Sequence, residues 1–212
     1  MDDAAFDNAL IAAAFQVIAD RGWARVSIAE AASSAGLSLA RARERFPSRA
    51  AMLLRFGRLA DQAALAETPA DGSTRDKLFY VLMRRVDALQ AHRAGILALL
   101  HDLPAHPATA LMLALANRRS MRWMLGAAGV PAVGINGELR VKGLLAVWLW
   151  TVRTWRTDDS TDLSATMAAL DVALQRAERM ASWIGWRQAP PPEPHAEEAA
   201  ATPEEPPPAA PA

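Results

Sequence analysis

Between residues 41 and 58 the chain carries six arginines and a single acid, Glu44. Guanidinium groups bind DNA phosphates, and they also bind guanine through two parallel hydrogen bonds. Arg41 and Arg45 are four residues apart, so on a helix they share one face. Because a run of charges more often marks only a solvated helix face, the surrounding elements must decide between the two interpretations. The pattern predicts a DNA contact if a suitable helix presents these arginines to solvent.

The elements around the arginines have the spacing of a helix-turn-helix. Ser27 can cap a short helix, and the glutamate three residues later would complete a capping box. Gly36 supplies a turn, Ser38 caps a second helix, and Pro47 ends it. In this motif the second helix enters the major groove of DNA. We therefore predict a recognition helix at residues 38–46, provided that its guanidinium groups are not neutralised by the protein's own acids.

The whole chain has the composition and periodicity of an all-α protein. Ala, Leu and Arg are abundant, whereas β-branched Val and Ile are sparse. Apolar residues recur at helical spacing at about 7–20, in a short segment after Ser27, at about 38–46, 49–67, 75–90, 92–103, 108–128 and 138–156, and in a last segment that ends near 186. Residues 68–73 have the composition of a linker. From residue 189 the chain is rich in Pro, Ala and Glu, which predicts disorder.

Charge, cysteine content and hydropathy narrow the class of protein. The formal net charge is zero, yet the arginine-rich segment contrasts with the stretch after Arg187, which carries five glutamates. The absence of cysteine excludes disulfides and thiolate metal sites. The most apolar run, 143–152, is too short to span a bilayer, and Asp2 and Asp3 are unlike the basic start of a signal peptide. We expect a cytoplasmic protein without an integral membrane segment.

We find no sequence motif for catalysis or for a bound cofactor. The chain lacks a Gly-rich phosphate loop, a nucleophile elbow and a His-Glu-x-x-His zinc motif. Asp158, Asp159 and Asp162 could act as paired carboxylates, but they are better explained as residues at the start of a helix. His101 and His106 are five residues apart rather than the four that align ligands on a helix. We expect neither an enzyme nor a metal site.

The N-terminal segment resembles the DNA-binding domain of TetR-type transcriptional regulators. The matching phrases are Ala19-Asp20-Arg21-Gly22-Trp23, Val26-Ser27-Ile28-Ala29-Glu30-Ala31-Ala32, Ala35-Gly36-Leu37-Ser38 and Arg45-Phe46-Pro47-Ser48-Arg49-Ala50-Ala51-Met52-Leu53. The resemblance implies a homodimer whose recognition helices lie in successive major grooves of a near-palindromic operator. It also implies a repressor that leaves its double-stranded DNA when a small apolar effector binds in the larger domain.

The resemblance and the arginine pattern together give a set of candidate DNA contacts. Recognition helices of the family usually carry a lysine after the capping serine, then a small residue, and then aromatic or histidine contacts to phosphates. At these places the chain has Leu39, Ala40, Arg43 and Arg45. Arginine can replace the phosphate contacts, whereas Leu39 offers nothing to a phosphate. The candidate contacts are Ser27, Ser38, Leu39, Ala40, Arg41, Arg43, Arg45 and Arg49, with Ser27 and Arg49 holding backbone phosphates.

A second family on the same fold is the alternative. Residues 139–148 and 154–163 are similar to the last two core helices of lipid-binding accessory proteins of ubiquinone biosynthesis. These proteins look like TetR regulators without operator recognition, and they bind isoprenoid lipid between their helices. Leu39 and the Trp-rich C-terminal helices favour this alternative, whereas the intact turn and the arginine cluster favour a regulator.

Tryptophan and methionine in the C-terminal part form a candidate pocket or interface. Trp148 and Trp155 are seven residues apart and share a helix face, and Trp123 and Met124 lie on the preceding helix. Core or dimer contacts are the commoner role of such side chains, while an adaptable apolar pocket is the functional alternative. We therefore predict a helix-turn-helix domain at 1–60, a ligand-binding and dimerisation domain at 61–187, and a disordered tail at 188–212.

Overall fold

Residues 1–183 are described by the computed structural model, and they fold into nine α-helices without a β-strand. The helices are α1 (Asp3–Arg21), α2 (Ile28–Ser34), α3 (Leu39–Arg45), α4 (Arg49–Leu65), α5 (Thr74–Gln90), α6 (Arg93–Asp102), α7 (Pro107–Ala127), α8 (Gly134–Trp155) and α9 (Ser164–Trp183). The prediction of an all-α protein is confirmed for this part of the chain. The predicted tail at 188–212, and the end of the last helix near residue 186, lie outside the described residues.

Serine caps fix where the helices of the motif begin. The Oγ atoms of Ser27, Ser38 and Ser48 each accept a hydrogen bond from the backbone N–H three residues later, at 3.4, 3.4 and 3.1 Å. The Glu30 carboxylate pairs with Arg21 rather than with the backbone N–H of Ser27, so the capping box predicted here is wrong. The serines alone start α2, α3 and α4 at the positions that the sequence predicts.

The first four helices enclose the core of the head, which we define as α1–α3 with the first turns of α4. α1 begins at Asp3 rather than at the predicted residue 7, because the Asp2 carboxylate accepts a hydrogen bond from the Ala5 N–H at 2.7 Å. Gly22, with a φ of 82°, ends α1 as predicted. The largest buried side chains of the head are Phe6, Leu10, Ile11, Phe15, Ile18, Trp23, Phe46 and Met52.

Two helix contacts join the head to the body, which we define as α5–α9. α4 runs through residue 60 without a break, so the predicted domain boundary falls inside a helix. α6 lies directly on α1 at Gly95, where only glycine fits: a Cβ added there would be 2.3 Å from the carbonyl oxygen of Phe15. The His92 ring stacks on Phe15 at a centroid distance of 5.1 Å and meets Phe56 of α4 edge-on at 5.6 Å. The head is therefore held by α4 and α6 together.

The body is organised around a buried cation. Arg85 on α5 is only 5% exposed, and its Nε lies 2.8 Å from Oδ1 of Asp61 on α4. One guanidinium nitrogen donates to Oδ1 of Asn117 at 3.0 Å, and the guanidinium carbon lies 4.5 Å from the centre of the Trp148 ring. The Ser120 hydroxyl donates to the second Asp61 oxygen at 2.5 Å. These five residues, which we call the Arg85 cluster, connect α4, α5, α7 and α8. Burial lowers the pKa of Arg85, while Asp61 opposes that shift.

Within residues 1–183, no single helix combines the length and the apolar composition that crossing a membrane requires. α6 with its following turn and α7 meet these requirements only as a pair, and the two segments are bent by 120° relative to each other.

Candidate nucleic-acid interface

The two sides of α3 face different surroundings. Ala42 and Phe46 are buried in the core of the head, and Phe46 lies at the C-terminal end, where Pro47 prevents the helix from continuing. Four residues on the opposite side are exposed, and we call them the reading face: Leu39, Ala40, Arg43 and Glu44. At about 100° per residue they span an arc of about 140°. This arc is wide enough for one side of a helix to meet base edges in a major groove.

Arg41 is turned back toward α1 instead of outward. Its guanidinium group pairs with the carboxylate of Asp3, donates to the carbonyl oxygen of Met1 at 3.1 Å, and lies 4.6 Å from the centre of the Phe6 ring. The Arg41 hydrogen bond holds the pKa of the Asp3 carboxyl below its ordinary value. The expectation that Arg41 faces solvent as an unneutralised cation is wrong, because an acid of α1 already satisfies it.

Arg45 pairs with two acids, whereas Arg41 pairs with one. Its Nε lies 2.6 Å from Oδ1 of Asp7, and another guanidinium nitrogen lies 2.6 Å from Asp3. Asp7 is 1% exposed and also accepts from Nε of Arg55 on α4 at 2.7 Å. The hydrogen bond from Arg45, aided by the one from Arg55, lowers the pKa of the Asp7 carboxyl despite its burial. We call Asp3, Asp7, Arg41, Arg45 and Arg55 the head cluster. It neutralises two of the three arginines of α3, so the prediction for Arg45 is wrong as well, and the condition set for the recognition helix is met by Arg43 alone.

Arg49 is also engaged inside the head. One of its guanidinium nitrogens donates to the carbonyl oxygens of Trp23 and Ala24, at 3.0 and 2.9 Å. The guanidinium carbon lies 4.8 Å from the centre of the Trp23 ring. These bonds fix the start of α4 on the turn after α1, and the phosphate contact by Arg49 stays a prediction.

Ser27 and Ser38 are exposed, and their hydroxyls retain a proton to donate because each oxygen acts as an acceptor in its cap. Arg43 is exposed and spends one nitrogen on the carbonyl oxygen of Pro47, at 2.9 Å. A depression of about 460 Å³ opens between α2, α3 and the start of α4, with Ser27, Leu39 and Arg43 on its lining. These predicted residues therefore do lie together on one exposed side of the head.

Sequence reasoning missed Arg25 on this same side. Arg25 ends the short 3-10 turn after α1 and is exposed, and its side chain has no hydrogen bond or ion pair within residues 1–183. It stands two residues before the Ser27 cap, where the chain enters α2. The signal in the sequence is its place just before a helix cap, and a single arginine there is a weaker signal than the arginine run at 41–58.

The predicted pocket residues do not form one group. Met124 is fully buried, and Trp148 and Trp155 are 3% and 0% exposed, whereas Trp123 is 61% exposed. The Trp155 indole N–H donates to Gln90 at 2.9 Å, and Trp148 lies under Arg85. Met124, Trp148 and Trp155 therefore belong to the core, and Trp123 is left as a surface residue.

The aspartates near residue 160 act at a helix start, as the sequence indicates. The carboxylate of Asp158 accepts from the backbone N–H and the hydroxyl of Thr166, at 2.7 and 2.6 Å. Hydrogen bonds from Ser160 and then Thr166 lower the pKa of Asp158 to about 2. Within residues 1–183 no three His, Asp or Glu side chains are placed to hold a metal ion.

The geometry can be compared with that of known proteins. No protein-family model matches the chain, and no curated protein matches it. The solved structure of a TetR transcriptional regulator from Nitrosomonas europaea aligns with a TM-score of 0.67 at 20% identity, covering 82% of this chain and 98% of that one. A TetR-family regulator from Streptomyces coelicolor aligns with a TM-score of 0.59 at 21% identity, covering 86% and 85% of the two chains.

A third structure, a transcriptional regulator from Rhodococcus sp. RHA1, aligns with a TM-score of 0.54 at 22% identity, covering 82% of this chain and 96% of that one. Similarity at such low identity is evidence about the fold. The chain therefore has the TetR-type fold, with an N-terminal helix-turn-helix head and a helical body.

Proposed function

We propose that the protein is a TetR-like transcriptional regulator that binds double-stranded DNA as a cytoplasmic homodimer. The observation that carries this proposal is the exposed side of the head, where α3 presents its reading face next to the cap hydroxyls of Ser27 and Ser38. Arg25 and Arg43 supply the cations on this side, and neither is paired with an acid within residues 1–183. A helix with exposed polar and cationic flanks fits the major groove.

The residues divide into contacts and supports. Leu39 and Ala40 meet the groove, while Arg25, Arg43 and the hydroxyls of Ser27 and Ser38 bind phosphates. Arg41, Arg45 and Arg49 are supports, since their bonds to α1 and to the turn after it hold α3 and α4 in place. This division follows from which guanidinium groups are already satisfied inside the head.

The division sets the expected salt dependence. Arg25 and Arg43 of each protomer give about four phosphate contacts in a dimer, and each contact contributes about 0.9 to the slope of log K against log salt. We expect a slope of about −4. If all the arginines of α3 contacted phosphates as well, the slope would be about twice as steep.

The test is an electrophoretic mobility shift with the duplex upstream of the protein's own gene, at several salt concentrations. The unmodified protein should bind that duplex better than a scrambled one. Arg43→Ala should weaken binding by at least tenfold, while Arg119→Ala, an exposed arginine on α7 away from the head, should leave it unchanged. Equal binding of upstream and scrambled duplexes would contradict sequence-specific regulation.

The homodimer is supported by an apolar surface on the last two helices. α8 exposes Ile135, Leu139, Leu149 and Trp150, and α9, which packs against it, exposes Val172 and Met180. Large apolar side chains gathered on one exposed surface mark an interaction site. Sedimentation should give a dimer for the unmodified protein and a monomer for Trp150→Glu, with Leu111→Glu on α7 as the control that stays dimeric.

The finer proposal is a repressor that a small apolar effector releases from its operator. It is supported by α4, which begins shortly after the recognition helix ends and contacts α5 and α7 in the body. A shift of the body helices would therefore move the head. Geraniol and farnesol serve as apolar probes, and an effector of this class should raise the melting temperature and lower the affinity for the upstream duplex.

The alternative, a lipid-binding accessory protein, makes the opposite prediction for the same preparation. Such a protein would leave every duplex unshifted and would yield isoprenoid lipid on organic extraction. That result would replace the regulator proposal, since the neutralised arginines Arg41 and Arg45 would then be the mark of a head that no longer reads DNA.

A further inference from the structure

We propose that Leu39 reads the methyl group of a thymine in the operator half-site. This inference rests on the proposed DNA binding and adds the identity of one base to it. It comes from a single unusual observation on α3: the first residue of the helix is a leucine with 52% of its surface exposed. Leucine can neither bind a phosphate nor form a hydrogen bond to a base edge.

The position of Leu39 favours a contact with a base rather than with the sugar-phosphate backbone. Leu39 follows the Ser38 cap directly, so it lies in the N-terminal turn, which is the end of a recognition helix that meets base edges. Its side chain lines the depression between α2, α3 and the start of α4, on the same exposed side as Arg43. Arg41 and Arg45 do not compete for this place, since Asp3 and Asp7 hold them, and Arg43 lies one helical turn further along α3.

The chemistry of the groove then selects the base. Among the four bases only thymine presents a methyl group in the major groove, and apolar side chains are its partners. The neighbouring residue, Ala40, is exposed and small, so the first turn of α3 can approach the base pairs closely. The next turn carries Arg43, whose guanidinium group is suited to guanine or to a phosphate. The reading face therefore combines an apolar N-terminal turn with the cation of Arg43 and the neighbouring acid Glu44 behind it.

The experiment begins with selection of binding sites from a random duplex library by the full-length chain. Thymines in the selected half-site are then replaced one at a time by deoxyuridine, which removes only the methyl group. For the unmodified protein one replacement should weaken binding about fourfold, the effect of exposing one buried methyl group. Leu39→Ala should bind the thymine and deoxyuridine duplexes equally well.

Two matched variants separate this role from general damage. Arg43→Ala should weaken binding to both duplexes and keep the ratio between them. Leu111→Ala, which alters a leucine of similar exposure on α7, should behave like the unmodified protein.

If the selected sites contain no thymine whose methyl group matters, or if Leu39→Ala keeps the fourfold ratio, the inference about Leu39 fails and the proposed DNA binding stands. If selection enriches no sequence, both fail together. If Leu39→Ala is the only variant that abolishes the affinity difference between the thymine and deoxyuridine duplexes, the result supports a contact between Leu39 and the thymine methyl group.

Discussion

The head and the body each hold arginine against aspartate, but with opposite burial of the two charges. In the head cluster the buried group is the anion: Asp7 is 1% exposed and is shared by the partly exposed Arg45 and Arg55. In the Arg85 cluster the buried group is the cation, which has one acid, Asp61, and neutral partners for the rest of its surface. In both clusters arginine holds helices together, so an arginine-rich segment of this chain is not by itself a surface that binds a partner.

The two clusters also differ in what they join. The head cluster ties the recognition helix α3 to α1 and α4, so it fixes the orientation of the reading face. The Arg85 cluster ties α4 to the body. A buried ion pair that loses one partner leaves an unpaired charge in a medium that solvates it poorly. The clusters should therefore differ in how strongly they respond to the loss of an acid.

The largest effect is expected from Asp61→Asn in the Arg85 cluster. It leaves the 5% exposed Arg85 without its counter-ion, and the free energy of unfolding should fall by about 3–5 kcal/mol. Urea denaturation measures this, with Asp171→Asn as the control, since Asp171 pairs with Arg75 at the surface and should contribute at most about 1 kcal/mol. Replacing both buried charges, as in Asp61→Leu with Arg85→Met, should recover much of the loss. A small effect of the single variant would mean that Arg85 finds water or another partner.

A smaller effect is expected from Asp7→Asn in the head cluster. The amide retains part of the hydrogen bonding, and Arg45 and Arg55 are partly exposed, so water can replace some of the lost contact. The free energy of unfolding should fall by about 1–3 kcal/mol, the range for hydrogen bonds to a charged group. The same urea titration checks the value. A loss as large as that of Asp61→Asn would remove the difference between the two clusters.

The loss of stability in acid should report on the head cluster. The folded pKa of Asp7 lies below its ordinary value of 3.8, so its contribution is fully present above that value and is lost as the pH falls through the folded pKa. Asp158, with a pKa of about 2, loses its contribution in the same acid range. Below about pH 4 the unmodified protein should lose stability more steeply than Asp7→Asn does, with melting temperature as the measurement. Parallel curves for the two proteins would contradict the assigned role of Asp7.

The smallest effect on stability is expected from Asp3→Ala, which should instead change DNA binding. Asp3 is exposed, and its removal frees Arg41 while Arg45 keeps its bonds to Asp7. With one more free cation in each protomer, the salt slope should steepen by about 2 for a dimer. The affinity for any duplex should rise at low salt. An unchanged slope would show that Arg41 stays on α1 through the Met1 carbonyl and the Phe6 ring.

The helices were predictable from the sequence because their signals are local. Ser38 and Pro47 bound α3 where the sequence predicts, and Gly22 ends α1. The start of α1 differs from the prediction because the Asp2 carboxylate serves as its cap. α8 begins at Gly134, four residues before the predicted start at residue 138, in a segment where the first turn has no side-chain cap. Errors are confined to helix ends, where one residue in the flanking chain decides the boundary.

The candidate site was predictable only in part, because pairing between distant residues has no local signal. The arginine run at 41–45 is plain in the sequence, but its partners Asp3 and Asp7 lie 38 residues earlier. Their position on α1 becomes relevant only once α1 and α3 are packed together. The same holds for Trp148, whose partner Arg85 comes from another helix. Residue type and spacing thus predict which side chains are available, while the fold determines which of them are already occupied.

The contact between Gly95 and the Phe15 carbonyl has a consequence for how the molecule can move. Because the two backbones are in direct contact, no side chain between them can rotate or yield. α1 and α6 should therefore move as one rigid unit. Any tilt of α6 should swing α1, and α3 with it, through the same angle. In a dimer, the close contact at Gly95 would then help to set the distance between the two recognition helices, and so their fit to successive major grooves.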